Sequence, residues 1–450
     1  VNRAGSPVRL SGWGRSPAAL CYLLRPGTLA ETISDGRSTS SLIARGNGRS
    51  YGDASLNPAA TLSTLRLDRL LAFDPAQGLL TAEAGLLLSD LLALFVPRGW
   101  FPPVTPGTRF VTLGGMLAAD VHGKNHHVDG CFGEHVQQFD LLCGDGVVRS
   151  CSRTQNVDLF RATIGGMGLT GTILTVTLSL RRIETPWILQ ETVRCRDLDE
   201  TLAAFEAGRS APYSVAWIDC LAKGGAQGRA LLYRAEHAAS AAVPTGMRAP
   251  RLGAELPRLR VPIDLPGWVL NGRTVQAFNA LYYRHGRPGS TLIDYQRFFY
   301  PLDAIGNWNR LYGRRGFVQY QCVVPTAGGR EALLRLLDLI AAGGTGSFLA
   351  VLKQFGPGGL PGQGGMLSFP MAGYTLAVDF PATPAAFSLM REMDEVVADH
   401  GGRLYLAKDA RMGPEMMSAS YPDLDRFRAI CRAVDPDRRY QSLLSERLAL

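Results

Sequence analysis

The feature that most constrains this chain is an apolar run that breaks into a glycine-bearing loop. In SLIARGNGRSYGDASLN, residues 41 to 57, Gly46, Gly48 and Gly52 are interleaved with Arg45 and Arg49. Glycine lets successive backbone N–H groups surround an anion, with Arg49 and Ser50 adding donors to the same concavity, and an ordinary glycine-rich turn is the alternative reading of the loop alone. The familiar nucleotide motifs do not fit. A dinucleotide fingerprint needs G-x-G-x-x-G running straight into a helix, whereas here the spacing fails and DASLNP reads as a turn. A Walker loop is excluded because Gly-Lys-Ser/Thr occurs nowhere in the chain.

A chain of 450 residues is too long for one ordinary core, so two domains are expected. Its 46% hydrophobic and 19% charged residues, with no apolar run long enough for a bilayer, indicate a soluble globular protein. The first twenty residues lack an apolar stretch followed by a small-residue cleavage site, so no secretory signal is read there and a cytoplasmic location is expected. Eight cysteines without a CxxC pair suit buried thiols better than disulfides or a zinc site.

Periodicity gives a mixed order of elements. Residues 29–34 read as helix, 41–45 as strand, and 61–83 as strands with a hairpin turning at Ala76-Gln77-Gly78. A helix follows from Leu88 to Val96, then strands at 136–143 and 146–151, a helix over Val157–Thr163, and a glycine turn feeding a long strand. From about residue 187 come a strand, a helix at 198–207 and a second strand, YSVAWIDC. Residues 243–290, rich in Pro, Arg and Gly, show no clear period and read as a long mobile excursion. Strands and one long helix occupy 316–400, and the tail from 403 reads as a strand, a turn and a final helix.

The formal charge of +8 is concentrated in residues 1–50 and 247–290, which suits an anionic ligand or a membrane surface. Of 47 basic residues only four are Lys: 124, 223, 353 and 408. In a chain that uses Arg as its generic cation, each Lys marks a place where a compact ammonium with a tunable pKa is needed. A second cluster, TPGTRFVTLGGMLAADVHGKNHH, brings Pro106-Gly107-Thr108 and Gly114-Gly115 close to four of the seven His, at 122, 126, 127 and 135. Zinc is the rival reading of those imidazoles. It fits poorly, because a Gly and Lys124 interrupt the set and no Cys or carboxylate completes a known spacing.

RGNGRSYGDASLN, TAEAG, VTPGTRFVTLGGMLAADVHGKNHH, FGEHVQQFDLL, IGGMGLTGTIL and RLYLAKD resemble the FAD-binding domain of the vanillyl-alcohol-oxidase class of flavoproteins, the PCMH type. More narrowly, LSGWGR, WNRLYG, GFVQYQCVVP, SFLAVLKQFGP, LSFP and VDFP resemble the decaprenylphosphoryl-β-D-ribose 2′-oxidase family, from about residue 8 to 450. The likeness is weakest at 221–290.

The resemblance implies that Gly46, Asn47, Gly48, Arg49 and Ser50 hold the FAD pyrophosphate. It also implies that Tyr51, Asn57, Gly107, Thr108, Gly115, His122, Gly123, Tyr405 and Ala407 line the cofactor. Many relatives in the class carry at the Arg49 position a His bonded to the flavin; Arg cannot form that bond, so noncovalent FAD is expected. His122 and Lys408 are the implied catalytic residues, and Lys124, Trp217, Gln319, Gln321, Lys353 and Ala377 the implied substrate pocket. Three of the four lysines thus fall in matched motifs. Ala377 replaces a pocket cysteine and Phe299 a tyrosine of the mycobacterial relatives, which bears on substrate choice and on capture by thiol-directed inhibitors.

The implied fold is α+β and two-lobed: an FAD lobe of residues 1–186 completed by 403–450, and a mixed-sheet substrate lobe of 187–402. The implied reaction is oxidation of the 2′-hydroxyl of a lipid-linked glycosyl phosphate, a polyprenylphosphoryl ribofuranose, to a 2-keto sugar. An NAD(P)H-dependent short-chain reductase would complete the epimerisation. Rival readings are an O2-using oxidase of alditols or sugar lactones and a nonenzymatic flavin-binding scaffold. The basic 243–290 segment gives an expected peripheral contact at the inner membrane; no nucleic-acid partner and no metal are expected.

Overall fold

The computed structural model describes residues 6–247, 259–266, 271–344, 347, 349–357 and 364–450. Three larger sheets carry the chain. The first orders its strands Ser6–Ser11, Ala18–Leu24, Thr61–Ser63 and Ile43–Arg45. Because the Ile43–Arg45 strand is its parallel edge, the glycine loop leaves the sheet from a strand's carboxyl end. The second sheet is antiparallel, with Leu70–Asp74, Leu79–Glu83, Thr172–Ser179, Val136–Leu142 and Val148–Ser152 in order. Its first two strands form the expected hairpin, where Asp74 Oδ1 accepts from the Ala76 N–H at 2.8 Å to start the turn.

The third sheet has eight strands in the order Gly289–Asp294, Trp187–Cys195, Ala230–His237, Tyr213–Ile218, Ala350–Phe355, Gly373–Pro381, Phe317–Pro325 and Arg403–Leu404. One face is covered by helices. Gly329–Gly343 buries Leu333, Leu336, Leu337 and Ile340, a stripe at helical spacing. Pro384–Asp399 starts where Thr383 accepts from the Ala386 N–H and Pro384 takes the first turn. Both helices pack against the Phe317–Pro325 strand, which leaves the opposite face turned toward the first lobe. At the sheet's edge Arg403–Leu404 pairs with that same strand, and the Tyr405 hydroxyl donates to the Ala119 carbonyl at 3.0 Å. The chain re-enters the first lobe at this point.

Three local expectations change. The 243–290 stretch contains a 14-residue helix, Gly272–His285, capped by Asn271, whose side chain accepts from the Arg273 and Thr274 N–H groups. It escaped the periodicity because only Val275 and Asn279 are buried while Phe278, Leu281 and Tyr282 are exposed. The 316–400 region holds two long helices rather than one. The tail holds three, Pro414–Ser420, Leu424–Val434 and Leu443–Leu448. The prolines at 414, 422 and 436 chop the pattern that a single helix would have shown.

Of the eight cysteines all are free, and all but Cys431 are buried. Among the described residues no helix is long and apolar enough to cross a membrane.

Candidate active site

Strand register assembles the site. Trp217 stands opposite Val351, Val351 opposite Ala377, and Ala377 opposite Gln321, so four adjacent strands contribute one row. Two residues along one way, Lys353 faces Thr375; two residues along the other, Gln319 faces Asp379. Cross-strand partners share a face and side chains alternate with period two. Trp217, Gln319, Gln321, Lys353 and Ala377 therefore all project from the face that looks at the first lobe.

The first lobe meets that face with His122, Tyr51, Tyr405 and Lys408. The Gln321 amide donates to His122 Nε2 at 3.0 Å. The His122 ring lies 4.9 Å from Phe355, 5.5 Å from Phe369 and 5.0 Å from Tyr405, centroid to centroid. Burial and the nearby ammonium groups hold this imidazole well below its ordinary pKa, so it is neutral. The Tyr51 N–H donates to the Ala407 carbonyl at 2.9 Å, which brings the next residue, Lys408, to 3.8 Å above the Tyr51 ring.

Three ammonium groups converge in this desolvated space. Lys124 donates to the Phe298 carbonyl and lies 4.1 Å from that residue's ring centroid. Burial, with Lys353 adding repulsion, lowers its pKa to about 7; Lys353 is likewise lowered to about 7 by burial and by Lys408. Burial pulls Lys408 down too, and Asp379 pulls it back up. A cluster with this excess of positive charge is complementary to an anionic group such as a phosphate.

The other predicted residues divide. Trp217 packs on Tyr282 at 4.7 Å, so the capped helix flanks the substrate face. Asn47 ties the glycine loop to the second loop by donating to the Phe110 carbonyl at 2.8 Å. A Cβ on Gly46 would fall 2.2 Å from Thr112 Oγ1, so the two loops meet only because that residue is glycine. Thr108 Oγ1 accepts from the Phe110 N–H at 3.3 Å, Gly107 is exposed beside it, and the Gly115 N–H is taken by the Thr112 cap at 3.2 Å. Gly123 follows His122 into the site. Asn57 stands apart: its amide donates to Ser41 Oγ and the Gln441 carbonyl at 2.9 Å each, while its oxygen accepts from Ala59 at 2.8 Å. That side chain ties its own turn to Ser41 and to the tail at Gln441. Phe299 is buried among Phe101, Tyr213 and Phe298, 4.9 to 5.2 Å between ring centroids, with Lys124 Nζ 5.6 Å from its own ring centroid.

The four clustered histidines diverge rather than converge. His122 is bound by Gln321, His127 Nε2 donates to the Ala211 carbonyl at 2.9 Å, His135 Nε2 donates to the Asp129 carbonyl at 2.9 Å, and His126 packs on Phe355 at 4.4 Å. Sequence reasoning passed over Asp379, whose signal was a lone carboxylate in the apolar strand YTLAVDFP. It also passed over Asp120, which accepts from Ser368 Oγ and from the Gly133 N–H at 2.9 Å and so anchors the loop that sets Phe369 against His122.

The glycine loop fits a phosphate-bearing cofactor. Among the described residues, none of the N–H groups of Asn47, Gly48, Arg49 and Ser50 donates to a protein acceptor. The Arg49 guanidinium is held 4.1 Å over Trp13 and 5.3 Å from Phe110, and among the described residues its buried Nε–H has no partner, nor has His122 Nδ1. Donors that are left unpaired in a buried setting are expensive unless a ligand completes them.

Residues 19–152 match the FAD binding domain family. Across nearly its whole length the chain is similar to decaprenylphosphoryl-beta-D-ribose oxidase of Mycolicibacterium smegmatis. The two are 38% identical over 453 residues, covering 98% of this chain and 97% of the relative. This chain belongs to the decaprenylphosphoryl-β-D-ribose oxidase family. More distant likenesses are confined to part of the chain: L-gulonolactone oxidase of Mus musculus is 29% identical over 38% of it, and cytokinin dehydrogenase 2 of Arabidopsis thaliana 29% over 32%. As a member of the decaprenylphosphoryl-β-D-ribose oxidase family the protein is an FAD-dependent oxidoreductase with the two-lobed α+β fold of the PCMH-type flavoproteins.

Proposed function

We propose that this protein oxidises the 2′-hydroxyl of a polyprenylphosphoryl-β-D-ribofuranose to the 2-keto sugar with noncovalently bound FAD, as the first half of an epimerisation. The observation that carries this reading is the convergence of Lys408, Lys353, Lys124 and the Gln321–His122 pair at one sheet face, beside a loop whose four N–H groups meet no protein acceptor among the described residues. The glycine loop, from Gly46 to Ser50, holds the cofactor's pyrophosphate, and residues 1–186 with 403–450 form the cofactor lobe. FAD, when bound, takes up the hydride and its two electrons. Lys408 holds positive charge at the substrate oxygen as the hydroxyl proton passes out to solvent, where a fixed ammonium in a desolvated site is worth most. Lys124 and Lys353 draw in the phosphate, and Gln321 with His122 orients the sugar ring against a wall of Phe355 and Phe369. Arg49, which has no nucleophilic nitrogen to offer, leaves the flavin unattached.

An NAD(P)H-dependent reductase fits as the consumer of the keto product, and peripheral membrane contact fits a substrate with a polyprenyl tail. In the segment assigned to that contact Leu259 is 69% exposed and Phe278, Leu281 and Tyr282 are exposed beside Arg260 and Arg273. Arg248, Arg251, Leu256, Arg258 and Trp268 lie outside the described residues. The test is anaerobic mixing of the yellow holoenzyme with decaprenylphosphoryl ribose. Bleaching of the visible band supports the reading; bleaching by L-gulonolactone or an alditol but not by the ribosyl lipid replaces it with the oxidase alternative.

A further inference from the structure

Residues 51 and 408 are brought together by their backbones. The Tyr51 N–H donates to the Ala407 carbonyl at 2.9 Å, the Lys408 N–H donates to the Tyr405 carbonyl at 2.9 Å, and a Cβ on Gly52 would fall 1.9 Å from the Asp409 carbonyl oxygen. The stretch that leaves the glycine loop therefore lies directly against residues 407–409, and only glycine at 52 allows it. With both backbones fixed, Lys408 Nζ stands 3.8 Å from the centroid of the Tyr51 ring.

The ring is held from the other lobe. Tyr51 is 7% exposed and packs edge-on against Phe317 at 5.2 Å, and Phe317 in turn stacks on Tyr312 at 4.4 Å and leans on Trp308 at 5.3 Å. Burial pushes the Tyr51 phenol well above its ordinary pKa, so the ring is neutral.

Among the described residues Lys408 Nζ makes no hydrogen bond and no ion pair. Asp409, next in sequence, is occupied by the Arg447 guanidinium at 2.7 Å and by the N–H groups of Arg411 and Met412 at 3.0 and 2.9 Å. Asp379, on the Gly373–Pro381 strand, takes the Gln319 amide at 2.6 Å, its carboxyl is raised to about 7 by burial, and it acts on the ammonium only across the space between them. Of the other titratable neighbours, Lys353 repels a cation and His122 is neutral.

We propose that Tyr51 is the positioning residue of Lys408: the face of its ring holds the ammonium beside the substrate oxygen and leaves the N–H donors free to act there. The proposal rests on the function assigned to Lys408 above. A carboxylate in the same place would bind those N–H groups and offset the charge that the substrate oxygen needs as its proton leaves. The negative face of a ring attracts the same cation without an oxygen acceptor, and more strongly where water is excluded. Because Tyr51 directly follows Ser50, the loop assigned to the cofactor also sets the ring under the ammonium.

The test replaces Tyr51 in the holoenzyme by phenylalanine bearing no, one, two or three ring fluorines, which drain the negative face of the ring while changing its size little. With lysine labelled with 13C at Cε, the four lysines give four resonances that follow protonation, and the one lost in Lys408→Met is that of Lys408. Its midpoint is expected to fall with each fluorine, because a weaker ring face favours the charged form less. The anaerobic flavin-reduction rate should fall in step, about tenfold across the series, the scale of one desolvated cation–π contact, while substrate affinity moves less. In Tyr51→Leu the Lys408 ε-methylene signal should lose its ring-current displacement. A midpoint or a rate that ignores the fluorines overturns the proposal, since a ring that only fills space tolerates them, and so does a displacement that survives in Tyr51→Leu. If Tyr51→Leu does not retain yellow FAD, the fluorinated series decides. The titration needs no substrate, so a wrong choice of sugar would show as an absence of bleaching in the wild type while leaving the Lys408 result intact.

Discussion

Gln321, on the strand next to the Arg403–Leu404 edge of the eight-stranded sheet, donates its amide to Nε2 of His122 on the other lobe at 3.0 Å, which places the proton of the neutral imidazole on Nδ1. Nδ1 is buried and has no hydrogen-bond partner among the described residues. The pair therefore joins the two lobes at this point.

Replacing Gln321 with Leu removes that donor and leaves Nε2 of a buried imidazole unsatisfied, at a cost of about 1–3 kcal/mol. The thermal midpoint should fall by several degrees. The tautomer preference is lost as well, so flavin reduction should slow by about tenfold or more, within the range of a positioned polar group. Reduction at the normal rate in Gln321→Leu would show that the His122 proton position does not matter.

Lys408→Met keeps side-chain length without charge, and Lys408→Arg keeps charge in a different shape. Both variants should remain yellow and should lose about 100-fold or more in single-turnover flavin reduction, because the ammonium matters most as the alcohol loses its proton. A structural lysine would let Arg restore the rate. Stopped-flow reduction of Lys408→Arg near the wild-type rate would remove Lys408 from the chemistry.

Lys353 titrates near 7 in the fold against 10.5 ordinarily, because burial disfavours its charge. Between those values the unfolded chain binds more protons than the folded one, so this residue makes stability rise with pH across that window. Lys353→Met lacks the penalty. The thermal midpoint of the variant should exceed that of the wild type near pH 7, and the gap should close as pH rises toward 10. Inorganic phosphate should act in the opposite sense on binding: as pH falls through about 7 both Lys124 and Lys353 become charged, and phosphate should stabilise the wild type more than the variant. A pH-independent gap in thermal midpoints would place the Lys353 amine outside the buried cluster.

Much of this site was legible because its parts are short motifs with fixed spacing. The glycine loop and His122-Gly123-Lys124 could be read before any fold was known, and the scarcity of Lys singled out four residues, of which the fold gathers Lys124, Lys353 and Lys408 and leaves Lys223 exposed elsewhere. Asp379 was not legible, since only the register opposite Gln319 shows what it faces. A motif carries structural and functional residues alike: the Asn57 side chain ties the turn at Ala59 to Ser41 and Gln441. The Gly272–His285 helix hid for a different reason: its apolar residues face outward, so the pattern that marks a buried stripe was missing.

Ala377 sits opposite both Gln321 and Val351, 9% exposed, in the middle of the face that carries the lysines. A thiol there would share the field of Lys353 and Lys408, and nearby ammonium groups favour a thiolate. None of the natural cysteines offers this. Seven are buried, and the thiol of Cys131, which feels Lys353, is pushed well above its ordinary pKa by burial and by Asp120. Wild-type protein should therefore resist a pocket-directed thiol electrophile, while Ala377→Cys should take up one equivalent, located at residue 377 by peptide mass spectrometry. Steric cost is small, because one sulfur is added to a row that already opens on the substrate space, so the variant should keep FAD and most of its reduction rate. Prior incubation with decaprenylphosphoryl ribose should slow the labelling. Labelling at full speed with the substrate bound would mean that Ala377 lies off the path of the sugar and that the departure at this position does not shape substrate choice.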